Sequence, residues 1–134
     1  MDDIKELRKR FIIDDAEYDT ERIKEDIDRL IPYCKVSGAG RVLIRAKGIT
    51  EKKKVGLVLV ARYVGHRLDG KIGESVNLDE VSEFTGIKRD NVMAYLSELV
   101  REGSCTREKA ALYRANPGQI SEFLDGLEQK SVKP

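Results

Sequence analysis

Residues 78–103 read LDEVSEFTGIKRDNVMAYLSELVREG, and the order of signals in this run decides the fold. Asn77, Leu78, Asp79 and Glu80 have the form of a capping box: a side-chain acceptor at the helix cap and, three residues on, a Glu that can return the hydrogen bond. Val76 and Val81 stand at the staple positions around it. The helix opened there must be short, because Gly86 supplies a residue free to adopt the left-handed conformation that ends a helix, giving a turn at Thr85-Gly86-Ile87. A second helix follows at once, from about 88 to 102, with Val92, Leu96, Leu99 and Val100 on its buried face and Gly103 after its last turn.

Two helices joined by a tight glycine turn are a helix-turn-helix arrangement. The run resembles the helix-turn-helix of winged-helix regulators such as the MarR and ArsR families, with matching apolar positions at Val81, Phe84, Ile87, Val92, Leu96 and Leu99. After it, Ser104 to Arg107 and Ala111 to Arg114 flank Glu108-Lys109-Ala110, which looks like the two-stranded wing of those families, spanning about 104–115. Asn116-Pro117 then opens a final helix, a capping residue before a proline at the first position. One departure is Lys88, where those families carry Ser or Thr, so the cap of the second helix is poor.

The resemblance implies a protein that binds double-stranded DNA and regulates transcription, its second helix in the major groove and its wing on phosphates. Lys88, Arg89, Asn91, Ser97 and Arg101 are the candidate contacts on the helix, and Arg107 and Lys109 those on the wing. With Val92, Leu96 and Leu99 turned inward, Asp90, Ala94, Ser97 and Arg101 point outward, flanked by Asn91, Met93 and Glu98. The acids Asp90, Glu98 and Glu102 oppose phosphate binding. The alternative is therefore a winged helix used for protein–protein contacts without DNA, since a fold does not fix its function.

Upstream, Thr50 can cap a helix from about Glu51 to Leu68. Leu57, Val60, Ala61, Val64 and Leu68 form its stripe, widened by Val55, Val58, Leu59 and Tyr63, so it must be covered on more than one side. By extension of the resemblance it is the first helix of the winged domain. Lys52, Lys53 and Lys54 crowd its first turn, where the macrodipole disfavours cations by about 0.3–1 kcal/mol each. They are read either as phosphate contacts or as an exposed face. Before it, Tyr33 to Val36 and Arg41 to Arg45 flank Ser37-Gly38-Ala39-Gly40, a hairpin with a glycine turn. No helix follows that G-A-G directly and a third glycine is missing, so it is not read as a dinucleotide loop.

The N-terminal third reads as two amphipathic helices. Ile4, Leu7, Phe11 and Ile12 recur at helical spacing, as do Ile23, Ile27, Leu30 and Ile31, with Pro32 ending the second and Asp19 or Thr20 placed to cap it. The chain thus divides into a helical extension, 1–33, and a winged helix-turn-helix domain, 34–134. The fold class is mainly α with small β elements. Apolar stripes in excess of what one wing domain covers predict a homodimer, the alternative being that the helical pair packs on the wide apolar face of helix 51–68 in its own chain.

Charge is uneven. Residues 1–34 carry 7 basic and 11 acidic side chains, residues 35–71 carry 10 and 2, and residues 72–134 carry 8 and 11. The central block either supplies a footprint for phosphate or is a solvated face neutralised by the acidic N-terminal helices. Cys34 and Cys105 stand far apart outside any C-x-x-C pattern, so neither a zinc site nor a disulfide framework is encoded, and a reduced cytoplasmic setting is expected. Met1-Asp2-Asp3 does not begin a signal peptide, and the apolar run Val55 to Ala61 is too short for a membrane span. His66 is the single histidine and lacks partners for catalysis. The expectation is a binding protein without cofactor or metal, and no enzyme.

Overall fold

The computed structural model describes residues 3–12 and 15–132, with side chains left aside at 15–18 and 129–132. Among these residues the chain is mainly helical with two small antiparallel sheets. The order is α1 (Asp3–Phe11), α2 (Asp15–Leu30), β1 (Cys34–Val36), β2 (Val42–Ile44), α3 (Glu51–Leu68), β3 (Val76–Asn77), α4 (Leu78–Thr85), α5 (Arg89–Arg101), β4 (Cys105–Lys109), β5 (Leu112–Ala115), a 3-10 turn (Pro117–Gln119) and α6 (Ile120–Val132).

The core is built around α3. Its cap is the expected one, Thr50 Oγ1 accepting from the Lys53 N–H at 3.2 Å. A helix with this much apolar surface can be stable only if neighbours surround it. From Val55 to Gly65 every residue but Tyr63 is buried, and α2, α4, α5, α6, the β1–β2 hairpin and β5 pack around it. Leu68, expected to continue the stripe, is 64% exposed because the packing partners end before the last turn. Gly56 lets α6 approach closely: a Cβ there would lie 2.4 Å from the Phe123 ring.

β1 pairs with β2 in the register Cys34↔Ile44. The second sheet has the order β3-β5-β4. β3, only two residues long, was not anticipated; it closes the sheet by pairing Val76 with Tyr113 and Asn77 with Leu112. The β4–β5 turn is tighter than the expected Glu108-Lys109-Ala110. Lys109 already faces Leu112, an irregularity between Arg107 and Lys109 shifts the register, and Ala111 takes a positive φ of 66° to close the turn.

At the ends of elements two further expectations change. Asp19 and Thr20 lie inside α2, which begins at Asp15. Asn116 caps no helix: its carboxamide accepts from Thr106 Oγ1 and donates to Gly103 O at 2.7 Å, so it locks the base of the hairpin while Pro117 opens the 3-10 turn. Finally α2 packs against α3 and α6 and contributes Leu30 to the common core, with Arg29 bridging Asp125 and Glu128, whereas α1 buries none of its residues. No helix among the described residues is long and apolar enough to cross a membrane.

Candidate nucleic-acid interface

The turn between α4 and α5 is fixed by its own side chains. Asn77 and Glu80 form the capping box that starts α4, with Asn77 N–H donating to Glu80 Oε1 at 3.0 Å and Glu80 N–H to Asn77 Oδ1 at 2.7 Å. Gly86 ends α4 at φ 74°, a backbone region that costs a residue with a Cβ but not glycine. Thr85 Oγ1 donates to Val81 O at 2.7 Å and accepts from the Ile87 N–H at 3.2 Å, while Ser82 Oγ donates to Ile87 O at 2.6 Å. These bonds hold the angle at which α5 departs.

Val92, Leu96 and Leu99 pin α5 to the core, as expected. Val100, assigned to the same face, is 37% exposed, because a residue one step beyond Leu99 is rotated about 100° away. The outer face is open: Lys88, Arg89, Asp90, Asn91, Met93, Ala94, Ser97 and Arg101 are all exposed. Lys88 precedes the helix with no side-chain cap.

The candidate cations separate into two groups. Arg89 Nε donates to Asp79 Oδ1 at 2.7 Å, and the Leu78 N–H donates to Ala111 O at 3.2 Å. The start of α5 and the β4–β5 turn thus both meet the start of α4. Glu108, between the last two, is occupied: it accepts from Ser75 Oγ and from Arg114 Nε, and those bonds hold its carboxyl below the usual carboxylate range, Ser75 foremost. Among the described residues Lys88, Arg101, Arg107 and Lys109 form no ion pair.

The triple lysine lies elsewhere, by the far end of α5, which is about 20 Å long. Lys52 Nζ bridges Glu98 Oε1 at 3.0 Å and Glu102, and these bonds, Glu102 first, raise its pKa. Lys53 Nζ donates to the Gly126 carbonyl at 2.9 Å. Lys52 and Lys53 are thus held within the fold; Lys54 has no ion pair among the described residues.

The basic block of 35–71 is largely consumed in the same way. Arg62, 6% exposed, donates to Gly73 O at 2.7 Å, Ser75 O at 3.0 Å, Gly40 O at 3.1 Å and Glu80 Oε2 at 3.3 Å. One guanidinium thus ties α3 to the first hairpin, to the loop before β3 and to the α4 capping box. Arg45 donates to Ile31 O, while Arg41 faces Glu83 at 3.8 Å and Arg67 faces Asp19 at 3.5 Å. The sequence gives one signal for Arg62: it follows the unbroken apolar run Val55 to Ala61 on a helix that must be covered all round, where a cation requires internal partners.

His66 Nδ1 lies 2.7 Å from Ile72 O, so this nitrogen carries the proton and donates, closing the loop after α3. Burial pushes the Cys34 and Cys105 thiols up to about 11 each, so both are protonated near neutral pH and poor nucleophiles. No group of three His, Cys, Asp or Glu among the described residues is placed to hold a metal. No family model, curated protein or solved structure matches this chain.

Proposed function

We propose that the chain is a winged helix-turn-helix protein that binds double-stranded DNA through α5 and the β4–β5 hairpin, as a cytoplasmic regulator of transcription acting as a homodimer. The observation that carries this reading is the outer face of α5, exposed from Lys88 to Arg101, together with Arg107 and Lys109 exposed on the hairpin and in no ion pair among the described residues. The order α3, β3, α4, α5, β4, β5 supports it, because the hairpin that looks like a wing is anchored by β3 beside α4.

The electrostatics support it as well. Of the three acids that oppose phosphate, Glu98 and Glu102 are offset in part by the single charge of Lys52, whereas Asp90 is not. The Arg89–Asp79 pair is exposed and worth about 0–1 kcal/mol, so Arg89 can exchange it for a guanine edge. The Asn91 carboxamide is the type of group that pairs with adenine, whereas Lys88, Arg107 and Lys109 suit phosphate. Titrating a labelled duplex and following its anisotropy tests the reading: binding at low salt that weakens steeply as salt rises is expected. Absence of binding to any duplex at low salt overturns it.

A second reading has one observation in its favour. Met93 and Val100, two helical turns apart on α5, are 45% and 37% exposed, an apolar stripe suited to a protein partner. Under that reading Met93→Ser abolishes complex formation with the partner while the basic variants do not.

A further inference from the structure

The inward face of α2 changes character along its length. Toward the end of the helix Ile27 and Leu30 join the core. Earlier on the same face Asp19, Arg22, Ile23 and Asp26, at the i, i+3, i+4 and i+7 spacing, set three charged side chains where an amphipathic helix places apolar ones. They meet a pocket instead of a closed core. Tyr63 and Arg67 from the last turns of α3, with Pro117, Gly118 and Ile120 from the 3-10 turn and the start of α6, complete its walls and enclose about 170 Å³. Ile120, 2% exposed, lies at the floor, while Arg67 and Gly118 are exposed at the mouth.

Asp26 is the anomaly in this pocket. It is 6% exposed, yet its carboxylate has no hydrogen bond and no ion pair among the described residues. Burial accordingly raises its pKa, against the attraction of Arg22 and Arg29. A buried carboxylate is stable in a fold when donors meet it, and here the pocket offers space for a donor in place of one. Arg67, on another wall, is loosely engaged. It donates to Tyr63 Oη at 3.1 Å and faces Asp19 at 3.5 Å in an exposed pair that is readily exchanged.

We propose that this pocket binds a free aliphatic α-amino acid, with its ammonium on the Asp26 carboxylate, its carboxylate on the Arg67 guanidinium and its side chain against Ile23 and Ile120. An ammonium brings the three donors that Asp26 lacks. Arg22 and Arg67 in the same pocket repel a plain amine, so the ligand must also carry a negative group, and a carboxylate matches the guanidinium fork. The volume equals about five or six water molecules at about 30 Å³ each, which suits valine or leucine and excludes nucleotides and peptides. No residue of α4, α5 or the β4–β5 hairpin lines the pocket, so the inference does not depend on what α5 binds.

The test is a chemical-shift titration of the full chain with L-valine, L-leucine, isoamylamine, which is leucine without its carboxylate, and isocaproate, which is leucine without its ammonium. Valine or leucine should bind at about 1 mM or tighter and move the amides of Ile23, Asp26 and Ile120. Each analogue should bind about tenfold more weakly than leucine or worse, the loss of one charge-assisted contact. In Asp26→Asn, an isosteric change that removes a buried charge and leaves the core intact, the advantage of leucine over isocaproate should vanish. In Arg67→Gln, at an exposed position, its advantage over isoamylamine should vanish. If neither amino acid shifts any amide up to about 10 mM, the pocket holds only water and the proposal is overturned. Isoamylamine binding as tightly as leucine overturns the role of Arg67, and leucine affinity undiminished in Asp26→Asn overturns the role of Asp26.

Discussion

Lys52 Nζ lies 3.0 Å from Glu98 Oε1 and bonds Glu102 as well, so one lysine at the start of α3 partly offsets two carboxylates at the end of the helix proposed to face DNA. Its effect on binding is therefore indirect. Lys52→Ala should weaken every duplex alike by removing the one positive charge that offsets these carboxylates, and adding Glu98→Gln and Glu102→Gln should restore the lost affinity. A triple variant as weak as the single one would mean that Lys52 meets phosphate itself. Anisotropy titrations of the three proteins decide.

Arg62 is the strongest internal tie. Arg62→Leu leaves the carbonyls of Gly40, Gly73 and Ser75 without their donor and the Glu80 carboxylate without its cation. A loss of about 3–5 kcal/mol in urea unfolding is expected. Arg62→Lys should recover little, since an ammonium cannot reproduce the planar fork that reaches all four acceptors. A loss under about 1 kcal/mol would show that water replaces the guanidinium.

The facing of α5 can be checked by a pair of truncations. Leu96, fully buried, should cost about 2–5 kcal/mol as Leu96→Ala through the cavity it leaves. Val100→Ala, at the exposed position, should change stability by less than about 0.5 kcal/mol. Equal effects on the melting temperature would contradict the observed rotation of the helix.

Legibility in the sequence followed how local the cause is. The α3 cap at Thr50, the capping box of Asn77 and Glu80, and the left-handed Gly86 were readable because each depends on residues within four positions. β3 was not, since two residues acquire strand character only by meeting Leu112 and Tyr113 more than thirty positions away. The candidate site divides in the same way. Exposure of Lys88, Arg89, Asn91, Ser97 and Arg101 followed from helical phase, whereas the engagement of Lys52 with Glu98 and Glu102 is a tertiary event with no local sign.

The buried thiols predict an alkaline limit. Their pKa of about 11 in the fold lies above the ordinary 9.0, so the unfolded chain gives up these protons first. Their contribution is complete below pH 9 and is lost as pH rises toward 11, on the order of 2 kcal/mol per thiol. Stability measured across that range should fall less steeply in Cys34→Ala/Cys105→Ala than in the wild type. Parallel curves would show that the thiols titrate as in the open chain.

The salt dependence of duplex binding tests the central claim most directly. For the wild type, the logarithm of the association constant should fall linearly with the logarithm of salt concentration, and Lys88→Ala, Arg107→Ala and Lys109→Ala should each lower that slope by about one unit. Arg89→Ala should instead cost about 1–3 kcal/mol on a preferred site and little on random DNA. If the wild type binds no duplex at low salt, or if all four variants keep its affinity and slope, α5 and the hairpin do not read DNA.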